Sequence, residues 1–155
     1  MRSTLEPHTL VFPVRKGEIL LGMKKRGLGI GRWNGFGGKV ETGESLEQAA
    51  ARELNEESGL QSAELIQAGI LALHYPHIGT YIKAVVFYTN QFNGEQVETS
   101  EMQPRWFETS SIPFNQMWPD DKLWLPLMLA GKKFEANFIF RDFDTITDYS
   151  IEEML

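Results

Sequence analysis

The sequence predicts an α/β chain, a mixed β-sheet with helices packed against it. Three observations carry this. Runs rich in Val, Ile, Leu and Phe at residues 9–15, 18–25, 65–75 and 81–92 read as strands. Residues 46–58 carry the caps and the apolar stripe of a helix. A second apolar segment at residues 118–129 reads as another helix. Two helices set apart in the chain and flanked by strands suit a sheet sandwiched between helices better than a regular βαβ repeat.

Taken in order, residues 9–15 and 18–25 form an expected hairpin around the Lys16-Gly17 turn. His8 precedes it and reads as a surface residue. Residues 26–37, RGLGIGRWNGFG, hold five glycines in twelve positions. Glycine permits positive φ and close approach of another group to the backbone. Trp33, Asn34 and Phe36 argue against an idle loop, and a short strand is expected at residues 33–36. The spacing is not that of a Walker loop, since Lys39 has no hydroxyl residue after it.

Residues 38–60 read GKVETGESLEQAAARELNEESGL. Ser45 is a good N-cap, and Gln48 completes a capping box. Glu47 suits the positive N-terminus, and Gly59 sits where a left-handed C-terminal cap belongs. Leu46, Ala50 and Leu54 form the apolar stripe. Glu53, Glu56 and Glu57 fall together on an arc beside it. Like charges at these spacings repel by a few tenths of a kcal/mol per pair, and Arg52 is the helix's only cation. Such a face is either a plain acidic surface or a site for a hard divalent cation, which takes oxygen ligands.

After the helix, two β-rich runs at 65–75 and 81–92 are joined by a turn at 76–80. His74 and His77 lie at a strand end and a turn, with no further His to complete a metal site. Residues 95–102 read as an acidic loop, and 104–107 as a short strand whose proline suits an edge or a strand start. Trp118-Pro119 looks like a helix start with Asp120 and Asp121 near its first turn. Pro126 predicts a kink or a late start, and Gly131 an end. Residues 132–141 and 144–149 read as a closing hairpin, and 150–155 as a helical or frayed tail.

Composition narrows the function. At 155 residues, one domain is expected. Apolar residues at 42% and aromatics at 12% suit an ordered globular chain. A net charge of −6 argues against general affinity for nucleic acid or membrane. With no cysteine, disulfides, thiolate zinc sites and a Cys nucleophile are excluded. No signal-peptide core, no run of about eighteen apolar residues, no repeat and no linker is found. A cytoplasmic monomer is the expectation by default, with an organelle or nuclear location also open.

The acids of residues 38–60 have a fixed order. Gly38, five residues, Glu44, seven residues, Arg52-Glu53-Leu54, one residue, Glu56-Glu57, one residue and Gly59-Leu60 together resemble the signature of the Nudix hydrolases at every fixed position. The resemblance implies the Nudix fold, a mixed β-sheet in an α/β/α sandwich. It implies a Mg²⁺ or Mn²⁺ enzyme that cuts a nucleoside diphosphate linked to another group. WNGFGGKV at 33–40, EMQPRWF at 101–107, WPDD at 118–121 and DTITDY at 144–149 are similar to the MutT-type branch that hydrolyses oxidised purine nucleoside triphosphates in animals. That branch turns 8-oxo-dGTP and 2-hydroxy-dATP into monophosphate and pyrophosphate, by attack at the β-phosphorus, and so cleans the nucleotide pool and avoids DNA damage.

The resemblance implies site residues. Glu53, Glu56, Glu57, the Gly37 carbonyl and Glu101 are the expected metal ligands, with one uncommitted Glu or Glu101 as base. Arg52 orients Glu56 and its neighbours, Glu44 braces the loop, and Lys24 and Lys39 touch phosphates. Thr9, Lys24, Asn34, Trp118, Asp120, Asp121 and Phe140 match the substrate pocket. Trp118 offers a stacking face, and Asn34 both donates and accepts. The adjacent Asp120 and Asp121 raise each other's pKa and can trade a proton, so the pair can meet two differently oxidised purines. Taken alone, WPDD reads rather as a helix start, and the surrounding match reverses this. Leu28 and Leu73 stand where the vertebrate members have phenylalanine, which leaves the pocket's width and base open. The alternatives are another substrate (a methylated purine triphosphate, a dinucleoside polyphosphate or an ADP-sugar) or a Nudix-fold binding module without turnover.

Overall fold

The computed structural model describes residues 7–154. Strands β1 (Pro7–Arg15), β2 (Glu18–Lys24), β3 (Trp33–Asn34) and β4 (Phe36–Lys39) lead to helix α1 (Leu46–Ser58). Strands β5 (Gln61–Tyr75), β6 (Thr80–Asn93) and β7 (Met102–Glu108) follow, then α2 (Asp121–Leu129) and the pair β8 (Lys133–Asp142) and β9 (Thr145–Met154). The strand order is β3-β2-β1-β6-β5-β8-β9, with β4 also on β1 and β7 on β2. The β1–β6 and β5–β8 pairs are parallel and the others antiparallel, so the sheet is mixed.

Alternation along the strands sends neighbouring side chains to opposite faces. Phe12, Ile19, Leu21 and Val86 join one buried cluster with Trp124, Leu125 and Met128 of α2. Val11, Leu20, Val85 and Phe87 join the other with Ala50 and Leu54 of α1. The two helices therefore cover opposite faces of one sheet, as expected.

Helix α1 spans the expected residues with both halves of the capping box. Ser45 Oγ accepts from the Gln48 N–H at 3.1 Å, and Gln48 Oε1 accepts from the Ser45 N–H at 2.9 Å. Gly59 closes it at φ 82°.

Several expectations are corrected. The β1–β2 hairpin forms around Lys16-Gly17 as expected, but its pairing is short, at Val14–Ile19 and Arg15–Glu18. Both strands are buried on both faces, so each needs neighbours on both sides: β1 takes β4 and β6, and β2 takes β3 and β7. The strand at 33–36 is split by Gly35, where a Cβ would lie 2.7 Å from the Phe12 ring. Pro104 lies inside β7 rather than at its start, and is tolerated because β7 pairs with β2 alone. Helix α2 does not start late. Pro126 is on its exposed side with Lys122, where the carbonyl that loses a partner can turn to water. The tail expected at 150–155 is strand through Met154, held by pairing with the alternately buried β8, while Leu155 lies outside the described residues. His8 sits within β1 opposite Lys39, and among the described residues no helix is long and apolar enough to cross a membrane.

Candidate active site

The catalytic end is built where α1 crosses the β4 glycines. Gly38 lets α1 approach, and Gly37 lets β4 lie close against β1. A Cβ on Gly37 would fall 1.7 Å from the Thr9 carbonyl oxygen, and one on Gly38 would fall 1.8 Å from Glu53 Oε2. The Gly37 N–H donates to Glu57 Oε1 at 2.9 Å. Glu57 is buried, and burial pushes its carboxyl up to about 7. The Gly37 hydrogen bond and Lys24 oppose the rise, while the charges of Glu53 and Glu101 add to it. Glu53 is raised too, by burial first, against the pull of Arg52.

Arg52 is the hub of this region. It donates to Glu44 Oε2 at 2.6 Å and Oε1 at 3.0 Å, to Glu53 at 3.1 Å and to the Lys39 carbonyl at 3.1 Å. Glu56 lies 3.4 Å away on the exposed side. Glu44 also accepts from the Glu41 N–H at 2.8 Å, so it ties the loop to the helix. Glu101 is paired instead with Arg26 at 2.8 Å and lies 3.8 Å from Lys24, and the Arg26 hydrogen bond holds its carboxyl below the usual range.

The expected metal ligands are thus neighbours in the fold, but not a closed cage. Among the described residues no three carboxylate or imidazole groups are arranged to hold an ion. Their chemistry does fit a hard divalent cation. The donors are all oxygens, and Glu53 and Glu57 repel each other in a part-buried setting that a cation would relieve.

Most of the residues expected to bind substrate gather in an adjoining cavity of about 160 Å³. Thr9, Asn34, Trp118, Asp120 and Asp121 line it, with Leu28 and Leu73 among the apolar walls. A void of roughly 150 Å³ accepts a benzene-sized ring. The cavity shares Leu10, Leu28, Asn34 and Gly37 with a smaller recess of about 90 Å³ that holds Lys24 and Glu57. The two spaces therefore adjoin across these shared walls, with Asp121 in one and Glu57 of α1 in the other. Lys24 lies in the acidic space and Asp121 in the aromatic one. Phe140 does not line the cavity; it is buried behind, stacked on Tyr75 at 4.6 Å.

Asp120 and Asp121 are both buried. Burial raises both carboxyls, and the charge of Asp120 lifts Asp121 further. Trp124 Nε1 donates to Asp120 Oδ2 at 2.8 Å, which opposes the rise there. Asp121 Oδ2 and Thr9 Oγ1 are buried with no hydrogen-bond partner. Such orphaned polar atoms are costly unless a ligand meets them. Asn34 Oδ1 accepts from the Gly35 N–H at 2.8 Å, so the amide NH₂ is its main offering to the cavity.

Sequence reasoning missed several lining residues, among them Tyr75, His8, Ile82 and Ala84. Strand alternation was the available signal, since Leu71, Leu73 and Tyr75 share a face. It also missed Arg32, which lies over the Trp118 ring, and nothing in the spacing of the glycine-rich segment marks that residue out.

Comparison with known proteins agrees with this geometry. The NUDIX domain matches residues 4–128. The chain is 48% identical over 146 residues to an oxidized purine nucleoside triphosphate hydrolase of Danio rerio, with 94% of both chains covered. It is 45% identical over 152 residues to the protein of the same name from Mus musculus, covering 98% of this chain and 97% of that one. A solved MutT protein from Bacillus halodurans superposes with a TM-score of 0.85 at 24% identity, covering 96% of this chain and 98% of that chain, and so shares the fold.

Proposed function

The chain belongs to the Nudix hydrolases, and from that premise we propose that it hydrolyses oxidised purine nucleoside triphosphates, 8-oxo-dGTP and 2-hydroxy-dATP, to monophosphate and pyrophosphate. The observation that carries this reading is the pair of orphaned buried atoms, Asp121 Oδ2 and Thr9 Oγ1, in an aromatic-walled cavity that adjoins the recess holding Glu57 of α1. A base that inserts there meets the two Asp carboxyls, the Thr9 hydroxyl and the Asn34 amide at its polar edge, and Trp118 along its flat face. Its phosphates then reach toward Lys24 and Glu57. Lys39, exposed on β4, is a second cation for them.

Glu53, Glu56, Glu57, the Gly37 carbonyl and Glu101 are the residues that would hold the metal, Mg²⁺ in our reading and Mn²⁺ as its substitute. Bound there, a divalent cation supplies countercharge to the phosphates and acidifies water. The chain's own residues do the rest. Arg52 fixes Glu53 and Glu56 in place, and its tie to Glu44 keeps the loop on the helix. A Glu left free of metal, or Glu101 once released from Arg26, takes the proton of the attacking water. Attack falls at the β-phosphorus and breaks its bond to the α–β bridging oxygen, so the nucleoside monophosphate leaves and pyrophosphate carries the oxygen of the attacking water. Burial and mutual repulsion favour a proton kept on the Asp pair, which would then present one donor and one acceptor to the base.

The base pocket can be tested without metal. The monophosphate 8-oxo-dGMP is expected to raise the melting temperature of the metal-free protein. At a ligand concentration one hundred times Kd, linkage gives about 2.7 kcal/mol, or roughly 5–10 °C for a chain of this size. dGMP at the same concentration should shift it far less. Equal shifts for the two would remove the oxidised-base reading.

A further inference from the structure

Trp118 is the flat wall of the base pocket, and one residue outside the pocket governs it. The Arg32 guanidinium carbon lies 4.5 Å from the Trp118 ring centroid, over its face. The same guanidinium donates to the Met117 carbonyl at 3.0 Å, the Phe143 carbonyl at 3.1 Å and Asp144 Oδ1 at 2.6 Å. Arg32 ends the glycine-rich segment that leads into β3. Met117 is the residue before Trp118, and Phe143 and Asp144 form the β8–β9 turn. Three separate parts of the chain thus meet on one side chain.

The contacts around the indole show what the cation adds. Tyr75, Phe140 and Phe143 meet Trp118 at steep interplanar angles of 63°, 79° and 83°. Gly29, in the same segment as Arg32, packs so close that a Cβ would fall 3.1 Å from Trp118 Nε1. Aromatic contacts of this kind locate a ring but are not directional enough to fix its tilt alone. A guanidinium stacked on one face and hydrogen-bonded to the adjacent backbone does fix it, in a ring that also lines the cavity. Arginine suits this task where lysine does not, because its planar fork stacks and donates at once. The charge of Arg32 also reaches Asp120 and Asp121, where it favours ionisation against their burial.

We infer that Arg32 is a positioning residue for base recognition: it clamps Trp118 between the glycine-rich segment and the β8–β9 turn, and so sets the stacking surface that an oxidised purine meets. This rests on the reading of the cavity as the base pocket.

Steady-state kinetics of Arg32→Ala, Arg32→Lys, Asp144→Asn and Trp118→Ala with Mg²⁺ and 8-oxo-dGTP test it. Arg32→Ala is expected to raise KM about tenfold while kcat stays within about twofold, because the acids of α1 are untouched. Arg32→Lys should fall between, since it keeps the cation and loses the fork. Asp144→Asn loosens only the outer anchor and should raise KM about twofold. A merely structural Arg32 would lower the melting temperature and leave KM alone, and that result overturns the inference. If Trp118→Ala raises KM and Arg32→Ala does not, the clamp fails by itself. If neither raises KM, the base-pocket reading falls and the clamp with it.

Discussion

Glu57→Gln is expected to lower turnover by about a thousandfold or more while the melting temperature at pH 8 holds or rises. The range for a lost general base or metal-binding carboxylate is of the order of 10²–10⁴. The stability half follows from the environment of Glu57. Its carboxyl is pushed up to about 7 in the folded chain, above its ordinary value of 4.5. A raised carboxyl contributes stability that is full below the unfolded pKa and is lost as pH rises through the folded one. At pH 8 the ionised Glu57 therefore costs folding energy, which neutral glutamine does not. Glutamine can still accept from the Gly37 N–H. Activity should fall while the protein remains folded, measured by pyrophosphate release with Mg²⁺ and by thermal melting of the metal-free protein. Near-normal turnover would remove Glu57 from the catalytic set. Glu56→Gln should lose activity on a comparable scale without the stability gain, because Glu56 is exposed.

Asp121→Asn should change base preference by about tenfold or more and flatten the pH dependence of stability. Asparagine holds a fixed donor where the protonated acid has one, and it cannot become a full acceptor by losing a proton. A site that pairs polar edges discriminates strongly when one partner is fixed wrongly. The ratio of kcat/KM for 8-oxo-dGTP over 2-hydroxy-dATP should therefore move, and so should the ratio for Asp120→Asn. Unchanged ratios in both variants would sink the proton-trading account of the pair. The stability sign is separate. Burial and the neighbouring charge hold Asp121 well above 3.8 in the folded chain. The unfolded chain releases that proton first as pH rises, so the ligand-free protein loses stability from about pH 4 upward. Asp121→Asn removes this loss. Melting temperatures at pH 5 and pH 8 should be closer in the variant than in the parent.

How much of this was legible in the sequence differs by element. Helix α1 was readable to its last residue, because every determinant of its ends is local: Ser45, Gln48 and Gly59 are each within a turn of what they cap. The acids were readable for the same reason, since helical spacing alone places Glu53, Glu56 and Glu57 together. Strand partners were not. Whether β2 stays on β1 or leaves for β7 depends on which residues lie across the sheet, and no local pattern carries that. The end of β9 was misread for a related reason. Its residues look frayed in isolation and become strand because β8 offers an alternating apolar edge. In the site, Trp118, Asp120 and Asp121 were found through the resemblance of the surrounding sequence, since WPDD alone reads as a helix start. Arg32 and Tyr75 were not, because their meaning arises from contacts with segments forty or more residues away.

The reading as a whole rests on one comparison of rates. With purified protein and Mg²⁺, kcat/KM should be measured for 8-oxo-dGTP and 2-hydroxy-dATP beside dGTP, dATP, a methylated purine triphosphate, a dinucleoside polyphosphate and an ADP-sugar. The adjoining spaces that hold Asp121 and Glu57 predict that the two oxidised nucleotides lead by about tenfold or more, each giving monophosphate and pyrophosphate. A lead by any of the others, or no phosphate release from any of them, would contradict it.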